Sequence, residues 1–284
     1  MQIRGCTTII TGASSGIGRS TAKAFADAGA NVVVASRNKS KLEDLVAELA
    51  PLPVRAIPVD VTERLSVEAL MRRASEEFGS IDVLVNNAGV GLFAPIADGN
   101  PDNARYLFDV NVWGAVNCVQ AAVPYMRDQG SGHIVNVSSI AGHISPPYMG
   151  IYAATKHALA AISDALRNEV AEDRIGVTTI YPGLTQTSFT ENMLQEVDAP
   201  SIPPLARWAS SDSVARRIYQ AVRWNLRDVY VSPEDIAAVI ADAFAPAITD
   251  RVMRTFIQPG ARREVTFKRK ASPLREGSSE TADS

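Results

Sequence analysis

Short apolar runs rich in β-branched residues alternate with longer stretches of helical periodicity from the start of the chain. Residues 7–11, 31–36, 54–58, 82–86, 133–138 and 176–181 read as strands. They are nearly continuous in apolar character rather than alternating, as strands covered on both faces should be. Between them, residues 17–28, 39–49, 63–78, 103–126 and 150–172 carry helical patterns. This alternation predicts an α/β class fold: a doubly wound, Rossmann-like parallel sheet of about seven strands, order 3-2-1-4-5-6-7, with right-handed crossovers and helices on both faces. Ligands of such sheets bind beyond the carboxyl ends of the strands, near the point where strand order reverses.

After Tyr181 the pattern loosens. The stretch 182–205 holds four prolines and scattered apolar residues and sits where a substrate-covering segment (about 184–210) is expected. Regularity returns as a helix at 213–224, a short strand at 229–231 and an Ala-rich helix near 235–244. The expected organisation is one catalytic domain over 1–260, including a helical extension at about 233–258. A polar, mixed-charge tail over 261–284 has the composition of a disordered segment.

Composition narrows the function class. A chain of 284 residues, 46% apolar, can bury one substantial core or two small ones. The net charge of −3 gives no overall basic field for nucleic acid. Cys6 and Cys118 belong to no CxxC or Cys/His metal spacing and read as free thiols in a reducing compartment. The N-terminus shows no secretory pattern, and no apolar run reaches the roughly 18 residues of a membrane span. A cytoplasmic protein without a transmembrane segment is expected.

The first strand runs into Thr11-Gly12-Ala13-Ser14-Ser15-Gly16-Ile17-Gly18, where a helix begins. Glycines let the chain turn sharply and let backbone N–H groups approach a pyrophosphate at a helix N-terminus. Read alone, the cluster also suits a plain strand-to-helix turn; its place after the first strand of an alternating chain favours the dinucleotide. The second strand ends in Ala35-Ser36-Arg37-Asn38, without the carboxylate that takes a ribose 2′-hydroxyl in NAD sites. A guanidinium there suits a 2′-phosphate, so Arg37 points to NADP(H), with Arg19 a weaker second candidate.

Tyr152 and Lys156, four residues apart, share one helix face. A phenol titrates near pH 10, and a neighbouring ammonium lowers that value, so the pair is suited to moving a proton on and off a carbinol oxygen.

These elements, with Asn86-Asn87-Ala88-Gly89, Asn111, the strand end Val137-Ser138-Ser139 and Pro182-Gly183, resemble the short-chain dehydrogenase/reductase family, in its order and at its separations. The resemblance covers roughly residues 5–231. It implies Tyr152 as acid/base, Lys156 binding the nicotinamide ribose and depressing the phenol pKa, and Ser139, thirteen residues before Tyr152, orienting the substrate oxygen. Ser138 would be structural, and Asn111 would support a water-mediated proton relay from Lys156. Cofactor contacts carried over are Gly12, Ser14, Ser15, Gly16, Ile17, Gly18, Arg37, Asp60, Val61, Asn87, Ala88, Gly89, Tyr152, Lys156, Pro182, Gly183, Thr185 and Thr187. No metal is implied; His133, His143 and His157 read as packing or surface residues.

The implied activity is an NADP(H)-dependent alcohol dehydrogenase/carbonyl reductase. Val90, Leu92, Phe93, Ile144, Tyr148, Met149, Leu184, Phe189 and Met193 near the expected pocket suggest a hydrophobic steroid-like, fatty or aryl substrate. Alternatives are a nucleotide-sugar dehydratase or epimerase and a non-catalytic NADP(H)-binding sensor or scaffold. The chain does not close like the ketoacyl reductases of the family, since about fifty residues follow Ser232-Pro233. That weakens the case for the family's common tetramer; a homo-oligomer, a dimer first, is expected. Ile236, Val239, Ile240, Phe244, Ile248, Val252, Met253 and Phe256 fit a single apolar helical stripe, read first as packed within the protein or a dimer. Arg262, Arg263, Lys268, Arg269 and Lys270 leave peripheral contact with a membrane surface as an alternative.

Overall fold

The computed structural model describes residues 1–189, 193–198 and 208–257, apart from the side chain of Phe256. The central sheet comprises β1 (Thr7–Thr11), β2 (Asn31–Ser36), β3 (Val54–Pro58), β4 (Val83–Asn86), β5 (Gly132–Val137), β6 (Ile175–Tyr181) and β7 (Asp228–Tyr230). These are parallel in the order β7-β6-β5-β4-β1-β2-β3. The expected doubly wound sheet and its strand order are therefore present.

The sheet is continuously apolar because successive side chains alternate between two cores rather than between core and water. Ile10, Val32, Val34, Val83, Val85 and Val135 join Phe25, Leu42 and Ile218 on one face. Ile9, Val33, Leu84 and Ile134 join Val67, Leu70, Met71 and Met126 on the other. The first face is covered by α1 (Gly16–Asp27), α2 (Lys39–Glu48) and α7 (Ser211–Trp224). Across the second lie α3 (Arg64–Phe78) and α5 (Gly114–Gln129). Each large aliphatic buried this way contributes about 1.5–3 kcal/mol.

The helix expected over 103–126 is instead α4 (Pro101–Phe108), a π-helical turn (Asp109–Trp113) and α5. At this turn the Gly114 N–H donates to Asp109 O, one residue further back than in an α-helix. Such single-turn bulges recur at functional sites, and this one carries Asn111.

A buried polar chain fixes α6 (Gly150–Glu169) over the sheet. Asn86 Nδ2 donates to Asn136 Oδ1 (2.9 Å), and Asn136 Nδ2 to Ser163 Oγ (2.8 Å). The expected extension is also divided: α8 (Pro233–Phe244) and α9 (Pro246–Phe256) meet at Ala245, because a proline opens each helix. Of the stripe expected to be packed, Ile236, Ile240, Phe244, Ile248 and Val252 are exposed within this chain, and Val239 and Met253 are half-buried. The tail expected over 261–284 lies outside the described residues, as do 190–192 and 199–207 of the substrate-covering segment. Among the described residues, no helix is long and apolar enough to cross a membrane.

Candidate active site

The strand ends beside the β1/β4 switch point are tied together by Thr11. Its Oγ1 accepts from Asn87 N and Ala88 N (both 3.1 Å) and donates to Val85 O (3.3 Å). Asn87 Nδ2 in turn donates to Thr11 O (3.0 Å) and Gly12 O (3.2 Å). Backbones so close leave no room for side chains: a Cβ on Gly12 would lie 2.8 Å from Ala88 Cα, and Gly12 has φ +67°. A Cβ on Gly18 would come within 2.5 Å of both Asn87 Nδ2 and Gly12 O. Gly18→Ala is therefore expected to destabilise the fold by about 1–3 kcal/mol and to weaken nucleotide binding; a thermal melt within a degree of the parent would contradict this packing.

The helix that follows starts uncompensated. Ser15, the N-cap of α1, makes no side-chain capping bond, and the first turn holds no acid. Its free N–H ends and positive dipole suit an anion, and the partly buried Ser14, Ser15, Gly16 and Ile17 frame the turn. Across the turn stands Thr187, whose Cβ lies 3.1 Å from where a Gly16 Cβ would be. The cradle thus fits a pyrophosphate.

At the end of β2, Arg37 is exposed, and its Nη1 donates to the Tyr106 hydroxyl (2.8 Å). Arg19 pairs with Glu48, as does Lys23; Lys23 first, then Arg19, holds that carboxyl below its usual range. Of the two arginines weighed from sequence, Arg37 is the one whose described partner is neutral. After β3, Asp60 Oδ1 accepts from Thr62 N (3.0 Å) and Thr62 Oγ1 (2.8 Å), so this carboxylate shapes its own turn. Val61 is buried against Gly114, where a Cβ would meet Val61 Cγ2 at 2.6 Å.

Tyr152 stands in the first turn of α6 and Lys156 one turn later, both buried. Lys156 Nζ lies 5.8 Å from the Tyr152 ring centroid and donates to Val137 O (3.0 Å). The Ser139 side chain hydrogen-bonds Tyr152; its Oγ also donates to Pro182 O (3.3 Å) and accepts from Ala141 N (3.1 Å). Ser138 is directed elsewhere, its Oγ donating to Lys156 O (3.0 Å). Asn111 is 1% exposed: Oδ1 accepts from Val90 N (2.8 Å), and Nδ2 donates to Val90 O (2.9 Å) and Thr155 Oγ1 (3.0 Å). Its side chain clamps the segment after β4, and a Cβ on Gly89 would lie 3.3 Å from Asn111 Oδ1 and 3.7 Å from Lys156 Nζ.

Burial dominates the electrostatics. It pushes the Tyr152 phenol up to about 12, with the Ser139 hydrogen bond pulling the other way, and pushes the Lys156 ammonium down to about 8. The ammonium was expected to lower the phenol, yet here it is directed at the Val137 carbonyl, and desolvation, opposed only by the Ser139 hydrogen bond, raises the phenol. The neutral phenol is thereby the stable form at neutral pH.

The family model for short chain dehydrogenases matches residues 6–198, well over half of the chain. The chain belongs to the short-chain dehydrogenase family. An uncharacterized oxidoreductase of Staphylococcus aureus is 39% identical over 225 residues, 79% of this chain and 96% of the relative. A short-chain dehydrogenase/reductase of Burkholderia phymatum in complex with NAD superposes with a TM-score of 0.80 at 28% identity, covering 88% of this chain and 96% of that one. A short chain dehydrogenase of Burkholderia cenocepacia in complex with NADP gives 0.76 at 26% identity, covering 89% and 99%. Structural neighbours thus hold either nucleotide.

Beside Tyr152, the Phe189 ring lies 5.8 Å from the tyrosine ring. A Cβ on Gly91 would meet Met193 Cε at 2.7 Å and Phe189 at 2.9 Å. Leu194 N donates to Gly91 O and Glu196 N to Phe93 O, both at 2.9 Å. Of the other expected pocket residues, Val90 and Met149 pack on the Tyr152 cluster. Leu92, Phe93 and Ile144 are buried in the protein, and Leu184 is exposed. Tyr148 packs against Phe93 with the rings tilted by 38° and their centroids 5.6 Å apart. Beyond β6, Ile140 N also donates to Pro182 O (2.9 Å). Asp235, in the first turn of α8, packs where a Gly183 Cβ would project, and Thr185 Oγ1 donates to Gly183 O (3.1 Å).

Sequence reasoning gave no role to three residues that hold this site. Thr155 receives Asn111 and donates to Tyr152 O (2.7 Å); a threonine inside an apolar helix face was the available signal. Thr11, a polar residue closing an apolar strand, was another. Glu196, 8% exposed, accepts from Asn100 N (2.9 Å) and Asn103 Nδ2 (2.7 Å), fixing residues 193–198 to the start of α4. The histidines pack as expected: His133 against Thr178, His143 against Tyr230, His157 against its own helix. Both cysteines are free, with burial pushing Cys118 up to about 12. Among the described residues no metal-holding cluster of His, Cys, Asp or Glu occurs.

Proposed function

We propose that this short-chain dehydrogenase is an NADP(H)-dependent oxidoreductase interconverting a hydrophobic carbonyl compound and its secondary alcohol. The observation that carries the reading is the buried Tyr152 hydroxyl beside Ser139, one helical turn from the Lys156 ammonium, at the carboxyl ends of β5 and β6. Gly12, Ser14, Ser15, Gly16, Ile17 and Gly18 would hold the pyrophosphate and Arg37 the 2′-phosphate. Asp60, Val61, Asn87, Ala88 and Gly89 would line the adenine half; Lys156, Pro182, Gly183, Thr185 and Thr187 the nicotinamide half. The bound nicotinamide would supply the hydride for the carbonyl carbon or take it back from a carbinol.

The chain's own groups handle the proton. Ser139 orients the substrate oxygen by hydrogen bonding, and Tyr152 donates its hydroxyl proton to that oxygen as it gains negative charge. Burial keeps the phenol protonated at neutral pH, the form that reduction requires. Lys156, with its pKa lowered to about 8, lies within easy proton exchange of physiological pH and recharges the tyrosine through solvent held near Asn111. The apolar Val90, Met149 and Phe189 beside Tyr152 favour an apolar substrate.

The test is fluorescence titration with NADPH and NADH, followed by a panel of hydrophobic ketones and aldehydes. Tighter NADPH binding with oxidation by a panel member is expected; failure to bind either nucleotide would overturn the reading. Arg37→Asp should reverse the preference, weakening NADPH at least about tenfold while sparing NADH. An unchanged ratio would mean that the 2′-phosphate is read elsewhere.

A further inference from the structure

Thr155 is fully buried on α6, one residue before Lys156, and its hydroxyl works in both directions. It donates to Tyr152 O (2.7 Å), a bond back along its own helix of the kind that threonines inside helices make. With that proton committed, the oxygen meets Asn111 Nδ2 as an acceptor, at 3.0 Å. A threonine serving only its own helix would be satisfied by the bond to Tyr152 O. The second bond reaches another element, the π-helical turn that carries Asn111.

The hydrogen-bond inventory of Asn111 then closes almost completely. Its other Nδ2 proton goes to Val90 O, and Oδ1 accepts from Val90 N. An amide has two protons on nitrogen and two lone pairs on oxygen, so what remains is one acceptor position on Oδ1. Lys156 spends one of its three ammonium protons on Val137 O. The Asn111 oxygen and the Lys156 nitrogen both border Gly89. Val90 sets which way round the amide lies, because a flipped amide would turn its oxygen against the Val90 carbonyl. Thr155 ties that amide to the helix of Tyr152 and Lys156.

We propose that Thr155 is a positioning residue for the reaction, holding the Asn111 amide in register with α6 so that its oxygen stays beside Gly89. The proposal rests on the oxidoreductase reading above, in which Lys156 recharges Tyr152 through solvent held near Asn111. Without the hydroxyl, one Nδ2 proton would be buried without an acceptor, and the amide would turn to find one.

The experiment compares Thr155→Val, which keeps the shape and loses the hydroxyl, with Thr155→Ser, which keeps the hydroxyl, on a carbonyl compound that the parent reduces. Thr155→Val should lower kcat about tenfold while KM and NADPH affinity stay within about twofold of the parent. Its solvent deuterium isotope effect on kcat should rise, because return of the proton to Tyr152 becomes slower. Thr155→Ser should recover kcat to within about threefold of the parent. A threonine that merely supports the fold would lower the melting temperature and leave the isotope effect unmoved. An unchanged kcat or isotope effect in Thr155→Val, or no recovery in Thr155→Ser, would overturn the proposal. If the valine variant does not fold, Thr155→Ala is measured in its place, with the same expectations. A parent that reduces no carbonyl compound would remove the oxidoreductase reading and this role with it, whereas an active parent with an equally active Thr155→Val would remove this role alone.

Discussion

Tyr152→Phe is expected to lower carbonyl reduction about a thousandfold while leaving nucleotide affinity within a factor of about two. The substitution removes one oxygen and keeps a buried ring of the same shape against Phe189. What disappears is the hydroxyl that meets Ser139 and, with it, the proton donor for the substrate oxygen. Folding should lose only about 0.5–1.5 kcal/mol, the net worth of one hydrogen bond. Steady-state reduction of a responding ketone, run beside an NADPH titration, separates the two effects. Turnover within tenfold of the parent would place the proton donor elsewhere. Loss of nucleotide binding together with turnover would instead mean that Tyr152 shapes the cradle.

The fold was legible because the sheet is buried on both faces. Strands such as Val32-Val33-Val34 send side chains alternately into two cores, leaving unbroken apolar runs that surface residues do not blur. Tyr152 and Lys156 were legible as a pair from their helix spacing, and Ser139 only through the family resemblance that sets it thirteen residues before Tyr152. Which neighbour Lys156 faces was not: a spacing of four fixes the helix face, whereas the Val137 carbonyl comes from another element. The π-turn around Asn111 was hidden because one extra residue per turn leaves the apolar pattern nearly intact. The break at Ala245 had its signal in Pro246, overridden by a stripe that continues on both sides. Glu196 could not be found at all, since its burial depends on Asn103, 93 residues away in the chain.

Lys156→Met should abolish most turnover and still make the folded chain more resistant to denaturant below about pH 8. Burial moves the ammonium from 10.5 to about 8, so holding it charged in the folded state costs about 3 kcal/mol at neutral pH. Methionine fills a similar volume without charge. Against that gain, the Val137 carbonyl loses its donor, a loss of about 1–3 kcal/mol. The net advantage at one pH is therefore small, and its pH dependence is the sharper observable. Between the folded and unfolded values the unfolded chain binds the proton that the folded chain has released, so the parent gains stability as pH rises from about 8 towards 10.5. The advantage of Lys156→Met should accordingly be full below about pH 8 and shrink by about 2 kcal/mol on going from pH 7 to about pH 10. Urea unfolding of both proteins at the two pH values measures it. A difference that stays level would mean that the ammonium remains solvated in the folded chain, removing the basis for a lysine poised to exchange protons near neutral pH. A difference that shrinks, together with lost turnover, would identify Lys156 as a group kept at a cost to stability for the sake of the reaction.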